Sequence, residues 1–374
     1  MIYIKVMRIY SINTLIFGII AFSIIPQIKN TIQIKYYNVN GKIEIQPYIG
    51  NPPKETYFLI SLSTQYTWLT PKNYDKESSD SSIYLSDQNI VVNHITCKAQ
   101  QLSDTFFDEL KQNSFRFYFY WFEENPEGAV DTLSLTFIFD SPKLSIVEQM
   151  KNQGVITREM FSFIPLNEKE GILSFGGYPE ERVMNLSKIS MTVNPYHEKW
   201  GVNITGAFIE GHVYTSSDYA FFNSIDNDIQ VPNAFMNFLL KYFLNDLIAG
   251  RVCKLNQNEI YQCERDKLDS IKELPKLYLI IEGKKLLIDR DILFSHHKPL
   301  CNLRIREHLH SNKWEIGTSF LHYFISVFDY ENRTITLYYQ NKDNDNCVLY
   351  ILIGLILFLL SYTIYLTIFI VFFK

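Results

Sequence analysis

An all-β chain folded in two lobes is what this sequence predicts, on three observations. Apolar and polar residues alternate over many short runs, as in Phe115, Phe117, Phe119 and Trp121. Turn residues separate those runs. Strands and helices never alternate in the rhythm of a parallel α/β sheet, and only one long helical pattern stands out. At 374 residues the chain can fill two ordinary cores. An aromatic content of 15% suits pleated, half-buried faces.

Taken in order, Lys35 to Thr70 reads as paired strands. Ile43 and Ile45 alternate with Lys42 and Glu44, Gly50-Asn-Pro-Pro53 turns, and Tyr57-Phe-Leu-Ile60 is a buried strand. Lys72–Asp80 is loop-like. After Phe115–Trp121 comes a hairpin-like turn at Glu123–Gly128, then alternation through Leu133, Leu135, Phe137 and Phe139. Leu144–Met150 predicts a short helix closed by Gly154. Gly171–Gly177, Lys188–Val193 and Trp200–Ile209 are further strands. Pro232 to Leu247 is the best helix: Pro at its start, Phe235, Met236, Leu239 and Phe243 at helical spacing, Gly250 at its stop. Leu277–Ile281 with Leu286–Ile288, and Tyr323–Asp329 with Thr334–Tyr339, predict two more hairpins. The boundary between lobes falls near Met184–Pro195, dividing 35–190 from 191–340.

Two segments stand outside this pattern. Residues 1–26 carry Lys5 and Arg8 before a short apolar core and read as a secretory signal, with an uncleaved anchor as the alternative. Residues 348–373 are apolar and uncharged, long enough to span a bilayer, with a lipid-anchor signal as the rival reading. Together they predict a single-pass protein of the secretory pathway or cell surface, its globular part luminal or extracellular. Acceptor sequons at Asn185, Asn203 and Asn332 agree with that side of the membrane. Cys97, Cys253, Cys263 and Cys301 allow three pairings, and Cys347 lies at the membrane edge. A net charge of −5 argues against a nucleic-acid surface, which needs a dense basic footprint. No motif calls for a cofactor. His296, His297, His308 and His310 cluster around Cys301 and read as a solvated loop, not a metal site.

A resemblance then becomes specific. Lys42-Ile-Glu-Ile-Gln-Pro-Tyr-Ile-Gly-Asn-Pro-Pro-Lys-Glu-Thr-Tyr-Phe-Leu-Ile60, followed by Ser61-Leu-Ser63 and Trp68, resembles the first active-site strand of pepsin-like aspartic proteases (peptidase A1). Tyr219-Ala-Phe-Phe-Asn-Ser-Ile-Asp-Asn-Asp-Ile-Gln-Val-Pro232 resembles the second. Gly154–Phe163, Gly171–Gly177, Leu274–Gly283, Trp314-Glu-Ile-Gly317 and Tyr323–Asn332 complete an ordered series. The resemblance implies a pepsin-like two-lobed fold with its catalytic positions at Ser61 and Asn223. It implies a flap residue at Tyr120 and a Cys263–Cys301 disulfide; a local Cys253–Cys263 bridge is the rival. It also implies a shortened amino-terminal lobe, since the apolar-apolar-Gly strand that braces the first catalytic position is absent from the sequence between Leu135 and Ser141.

The departures matter chemically. Aspartic proteases use two carboxylates that share one proton, one acting as base and the other as acid. A serine hydroxyl is a poor base near neutral pH, and an asparagine amide does not titrate. Asp226 and Asp228 lie nearby, but a dyad shifted onto them breaks the match to Phe221-Phe222 and Pro232. The resemblance therefore implies a catalytically degenerate member whose cleft binds a peptide or protein. The alternative is an active aspartic endopeptidase with an atypical site.

Overall fold

Local sequence sets the first hairpin. The structure, a computed structural model, describes residues 31–340 apart from 93–94, 125, 127–128, 137–144, 195–198, 296–297 and 309–312, together with residues 355–362. In β1 (Ile32–Val39), Ile32, Ile34 and Tyr36 point inward while Gln33 and Lys35 face out. Asn40 and Gly41, at φ +53° and +82°, turn the chain into β2 (Lys42–Ile45). A Cβ on Gly41 would sit 2.4 Å from Asn227 Cβ, so this turn needs glycine for its backbone and for its contact with the second half.

A small ribbon, β3 (Tyr48–Ile49) and β4 (Lys54–Glu55), precedes β5 (Phe58–Ser61), whose four residues are all buried. β6 (Trp68–Leu69) follows. Then β7 (Ile83–Val92) and β8 (Ile95–Phe107) form a long hairpin, and β8 also pairs with β9 (Ser114–Trp121). Phe115, Phe117 and Phe119 of β9 face the core, as the alternation predicts. β10 (Thr132–Ser134) is short and buried. The helix Ile146–Asn152 follows, ending before Gly154 at φ +70°. β11 (Met160–Pro165), β12 (Glu170–Phe175) and β13 (Ser187–Thr192) complete the first half.

The second half opens with the hairpin β14 (Gly201–Ile209) and β15 (His212–Phe222), then β16 (Ile229–Val231). The predicted long helix runs from Asn233 to Ala249 with a π-helical segment at Leu240–Leu244. It buries Phe235, Met236, Leu239 and Phe243. β17 (Cys253–Leu255), β18 (Tyr261–Glu264), the hairpin β19 (Leu277–Ile281) and β20 (Lys284–Ile288), β21 (Leu300–Asn302), β22 (Ile305–Glu307) and β23 (Trp314–Ile316) follow. β24 (Ile325–Asp329) and β25 (Thr334–Tyr339) close the described chain.

These strands make a 15-stranded sheet, a 7-stranded sheet in the order β20-β19-β14-β15-β23-β16-β22, and a 3-stranded sheet β17-β18-β21. One stretch of the largest sheet runs β13-β25-β24-β11-β12-β1. The last two strands thus return to pair with strands of the first half. Phe161, Trp200, Phe328 and Tyr330 form an aromatic knot beside this stretch, with ring centroids 4.8–5.9 Å apart. Among the described residues no helix is long and apolar enough to cross a membrane. Residues 355–362 are helical and exposed, and the rest of the predicted 348–373 span lies outside the described residues, as does 1–26.

Candidate functional site at the strand junction

Two strand ends meet in similar settings. β5 runs parallel to β10, with Ile60 opposite Leu133 and Ser61 opposite Ser134. β15 runs parallel to β23, with Phe221 opposite Glu315 and Phe222 opposite Ile316. Backbone bonds continue each pair: Leu135 N–H donates to Ser61 O (2.8 Å), and Asn223 N–H donates to Ile316 O (2.9 Å). Each strand end then turns on its own side chain. Ser61 Oγ accepts from the N–H groups of Ser63 (3.2 Å) and Thr64 (3.0 Å), and Asn223 Oδ1 accepts from Ile225 N–H (2.9 Å).

Ser224 ties the two ends together. Its hydroxyl donates to Ile60 O (2.7 Å) and accepts from Leu62 N–H (3.0 Å), the groups on either side of Ser61. Ser224 is fully buried. The equivalent residue of the first half is Leu62, which has no hydroxyl to return the contact. Ser61 and Asn223 therefore flank a common junction, although the hydrogen bonds described for their side chains run to other groups.

The environments of the two differ in charge. Asn223 Nδ2 donates to Glu315 Oε2 (3.1 Å), and Glu315 Oε1 lies 3.2 Å from His308 Nε2. Glu315 and His308 side chains are each 17% exposed. Burial pulls the Lys199 ammonium down from its ordinary range, partly opposed by Glu315. Asp226 accepts from Gln230 Nε2 (2.6 Å) and from Asp228 N–H (3.1 Å). Asp228 is buried, pairs with Arg306, and is pushed up to about 6 by burial, with Arg306 pulling the other way. Both aspartates are thus engaged away from Ser61. Sequence reasoning passed over Glu315 and the cross-junction hydroxyl of Ser224. The available signal was a charge inside the apolar run Trp314-Glu-Ile-Gly317.

Four expectations are corrected here. The first strand does have its brace: β10 stands to β5 as β23 stands to β15, so Leu133 matches Ile316 and Ser134 matches Gly317. The brace escaped notice because serine replaces glycine. Tyr120 is not on a flap. It lies in β9, opposite Trp68 of β6, 6% exposed, with its ring edge-on to Tyr66 at 5.4 Å. The long hairpin of this half is β7–β8 instead. The disulfide joins Cys253 to Cys263, and Cys301 is a buried free thiol. Glu264 N–H donates to Val252 O on one side of β18 and Arg265 N–H to Pro299 O on the other. Cys263 therefore faces Cys253 at a non-hydrogen-bonded position, where side chains approach closest. Finally, His308 is no solvated loop imidazole but a partner of Glu315. His296, His297 and His310 lie outside the described residues, among which no three metal-ligating side chains gather. Asn185, Asn203 and Asn332 are all exposed.

Comparison with known proteins agrees with this geometry. The sequence model of the family described as eukaryotic aspartyl protease matches residues 127–339, more than half of the chain. The chain belongs to that family. Bovine (Bos taurus) chymosin is 21% identical over 198 residues, covering 52% of this chain and 48% of chymosin. The chain thus spans about half the length of the curated relative it matches. The crystal structure of the aspartic proteinase from Irpex lacteus superposes with a TM-score of 0.66 at 14% identity, covering 83% of this chain and 98% of that one. That likeness is one of fold.

Proposed function

We propose that this chain is a non-catalytic member of the aspartyl protease family that binds a peptide or protein at the junction between its halves. The observation that carries the reading is the chemistry of the paired strand ends, Ser61 and Asn223. Neither supplies a carboxyl group, and the bond from Ser224 across to Ile60 and Leu62 brings their strands together. A proton-sharing acid pair has no place to form there. Asp228 is committed to Arg306 and Asp226 to Gln230, and the one carboxylate at a strand end, Glu315, is held by Asn223 and His308 with no second carboxyl beside it among the described hydrogen bonds. What remains is a polar, partly buried junction able to hydrogen-bond a ligand's backbone. We further propose that the 348–373 run anchors the chain in a secretory-pathway or cell-surface membrane. The three exposed sequon asparagines support a luminal or extracellular globular part.

The test is a peptide-cleavage assay on the full chain across pH 3 to 7, with and without pepstatin. We expect no pepstatin-sensitive cleavage. Robust cleavage that disappears in Asp226→Asn, Asp228→Asn or Glu315→Gln would establish an atypical endopeptidase instead. Glycosidase sensitivity and resistance to alkaline extraction from membranes test the anchoring.

A further inference from the structure

The three-stranded sheet β17-β18-β21 lines up three cysteines in one cross-strand row. Cys263 of β18 is opposite Cys253 on one side and opposite Cys301 on the other. Directly opposed residues leave a sheet on the same face, so the three sulfurs share a face. All are buried, at 3%, 0% and 0% exposure for Cys253, Cys263 and Cys301. Cys253 and Cys263 are bonded, while the Cys301 thiol donates to Cys263 O at 3.4 Å. The free thiol therefore sits beside the residue whose sulfur it would attack.

We propose that this row is an intramolecular disulfide switch, with Cys263 bonded alternately to Cys253 and to Cys301. The exchange balances without an outside oxidant. Cys301 gives its proton to solvent, and its thiolate attacks Cys263 Sγ. The Cys253–Cys263 bond breaks as the Cys263–Cys301 bond forms, and Cys253 leaves as a thiolate that takes up a proton. The staple then moves from a sequence separation of 10 to one of 38. It also moves towards the junction. β21 leads within three residues into β22, which carries Arg306 onto Asp228 and ends beside His308, the partner of Glu315. The isomer thus sets whether the segment reaching the junction is covalently tied to β18. Burial raises the Cys301 thiol above its ordinary range, so exchange requires local opening and speeds up with pH.

The experiment maps linkages in the full chain. The protein is held at pH 6 or pH 8.5, quenched in acid, alkylated while denatured, and digested without reduction for mass spectrometry. We expect both linkages, approached about tenfold faster per pH unit below the thiol pKa. Cys253→Ser should carry Cys263–Cys301, Cys301→Ser only Cys253–Cys263, and hydrogen exchange over Leu300–Glu307 should be slower in the first. The proposal fails if Cys253→Ser folds yet keeps both thiols free. If that variant does not fold, the wild-type time course decides: Cys253–Cys263 as the sole linkage at pH 8.5 overturns the switch.

Discussion

The two halves of the junction solve one geometric problem with different chemistry. In the first, β5 ends at Ser61 and is braced by β10, whose last residue is Ser134. In the second, β15 ends at Asn223 and is braced by β23, which leads into Gly317. A Cβ on Gly317 would lie 2.3 Å from Asp228 O and 2.7 Å from Asp226 O, so the second half is closed tightly around its brace. Ser134 carries a full side chain in the matching place, and its hydroxyl donates to Thr64 O. One brace is locked by backbone contact and the other by a side-chain hydrogen bond. The same backbone plan therefore survives with different tolerance to change.

The largest effect should follow from that asymmetry. Gly317→Ala must push two backbone carbonyls apart, and we expect a loss of about 3–4 kcal/mol or failure to fold. Ser134→Ala removes two hydrogen bonds, to Thr64 O and from Thr136 N–H, and should cost about 1–2 kcal/mol. Urea unfolding of both variants checks the contrast, and equal losses would show that the braces are interchangeable. Next comes the tie between halves. Ser224→Ala leaves Ile60 O and Leu62 N–H without their buried partner, for an expected loss of about 2–3 kcal/mol. Ser63→Ala touches only its own turn and should lie within about 0.5 kcal/mol of wild type.

A pH experiment sharpens the comparison, because two buried groups act in opposite senses. His322 packs against Tyr36 with both ring nitrogens buried and unbonded among the described residues. Burial pulls it down from 6.5 to about 4. Its folded pKa is depressed, so the unfolded chain binds the extra proton, and stability falls as pH drops from 6.5 to 4. Asp228 is raised from 3.8 to about 6. There the folded chain binds the extra proton, and stability falls as pH rises from 3.8 to 6. Each contribution is about 3 kcal/mol across its full window, so near pH 4–6 they largely offset. His322→Phe should unmask Asp228: relative to wild type, the variant gains about 2 kcal/mol on going from pH 7 to pH 4.5. An unchanged difference between the two pH values would show that His322 titrates normally.

The order of elements was readable because burial and alternation are local signals. The fully buried run Phe58–Ser61, the inward phenylalanines of β9 and the Pro-started helix at Asn233 all follow from periods of 2 or 3.6. What escaped was set by contacts distant in sequence. The brace at Thr132–Ser134 was sought through a glycine, yet it is defined by pairing with β5, about seventy residues earlier. Tyr120 was placed by its neighbours in sequence, yet its role is fixed by packing on Tyr66 and pairing with Trp68. The disulfide choice depended on which side of β18 each cysteine faces, which no spacing reveals. Glu315 is one strand away from Asn223, and only register brings them together.

That register makes a change of charge the most direct probe of the two strand ends. Ser61 receives two backbone N–H groups, a setting that suits an anion. Asn223 already faces a carboxylate across 3.1 Å. Ser61→Asp should therefore fold with little dependence on pH near neutrality, its new carboxylate held ionised by those N–H groups. Asn223→Asp sets two carboxyl groups against each other, which raises the pKa of one of them. A raised carboxyl pKa means stability that is present in acid and lost as pH rises through the coupled titration, here about 1–2 kcal/mol by pH 7. Adding Glu315→Gln should restore the neutral-pH stability, because the amide removes the like charge while keeping an oxygen for His308. If Asn223→Asp is as stable at pH 7 as at pH 4.5, Glu315 exerts no charge at this strand end, and the electrostatic contrast between the halves fails while their shared backbone plan stands.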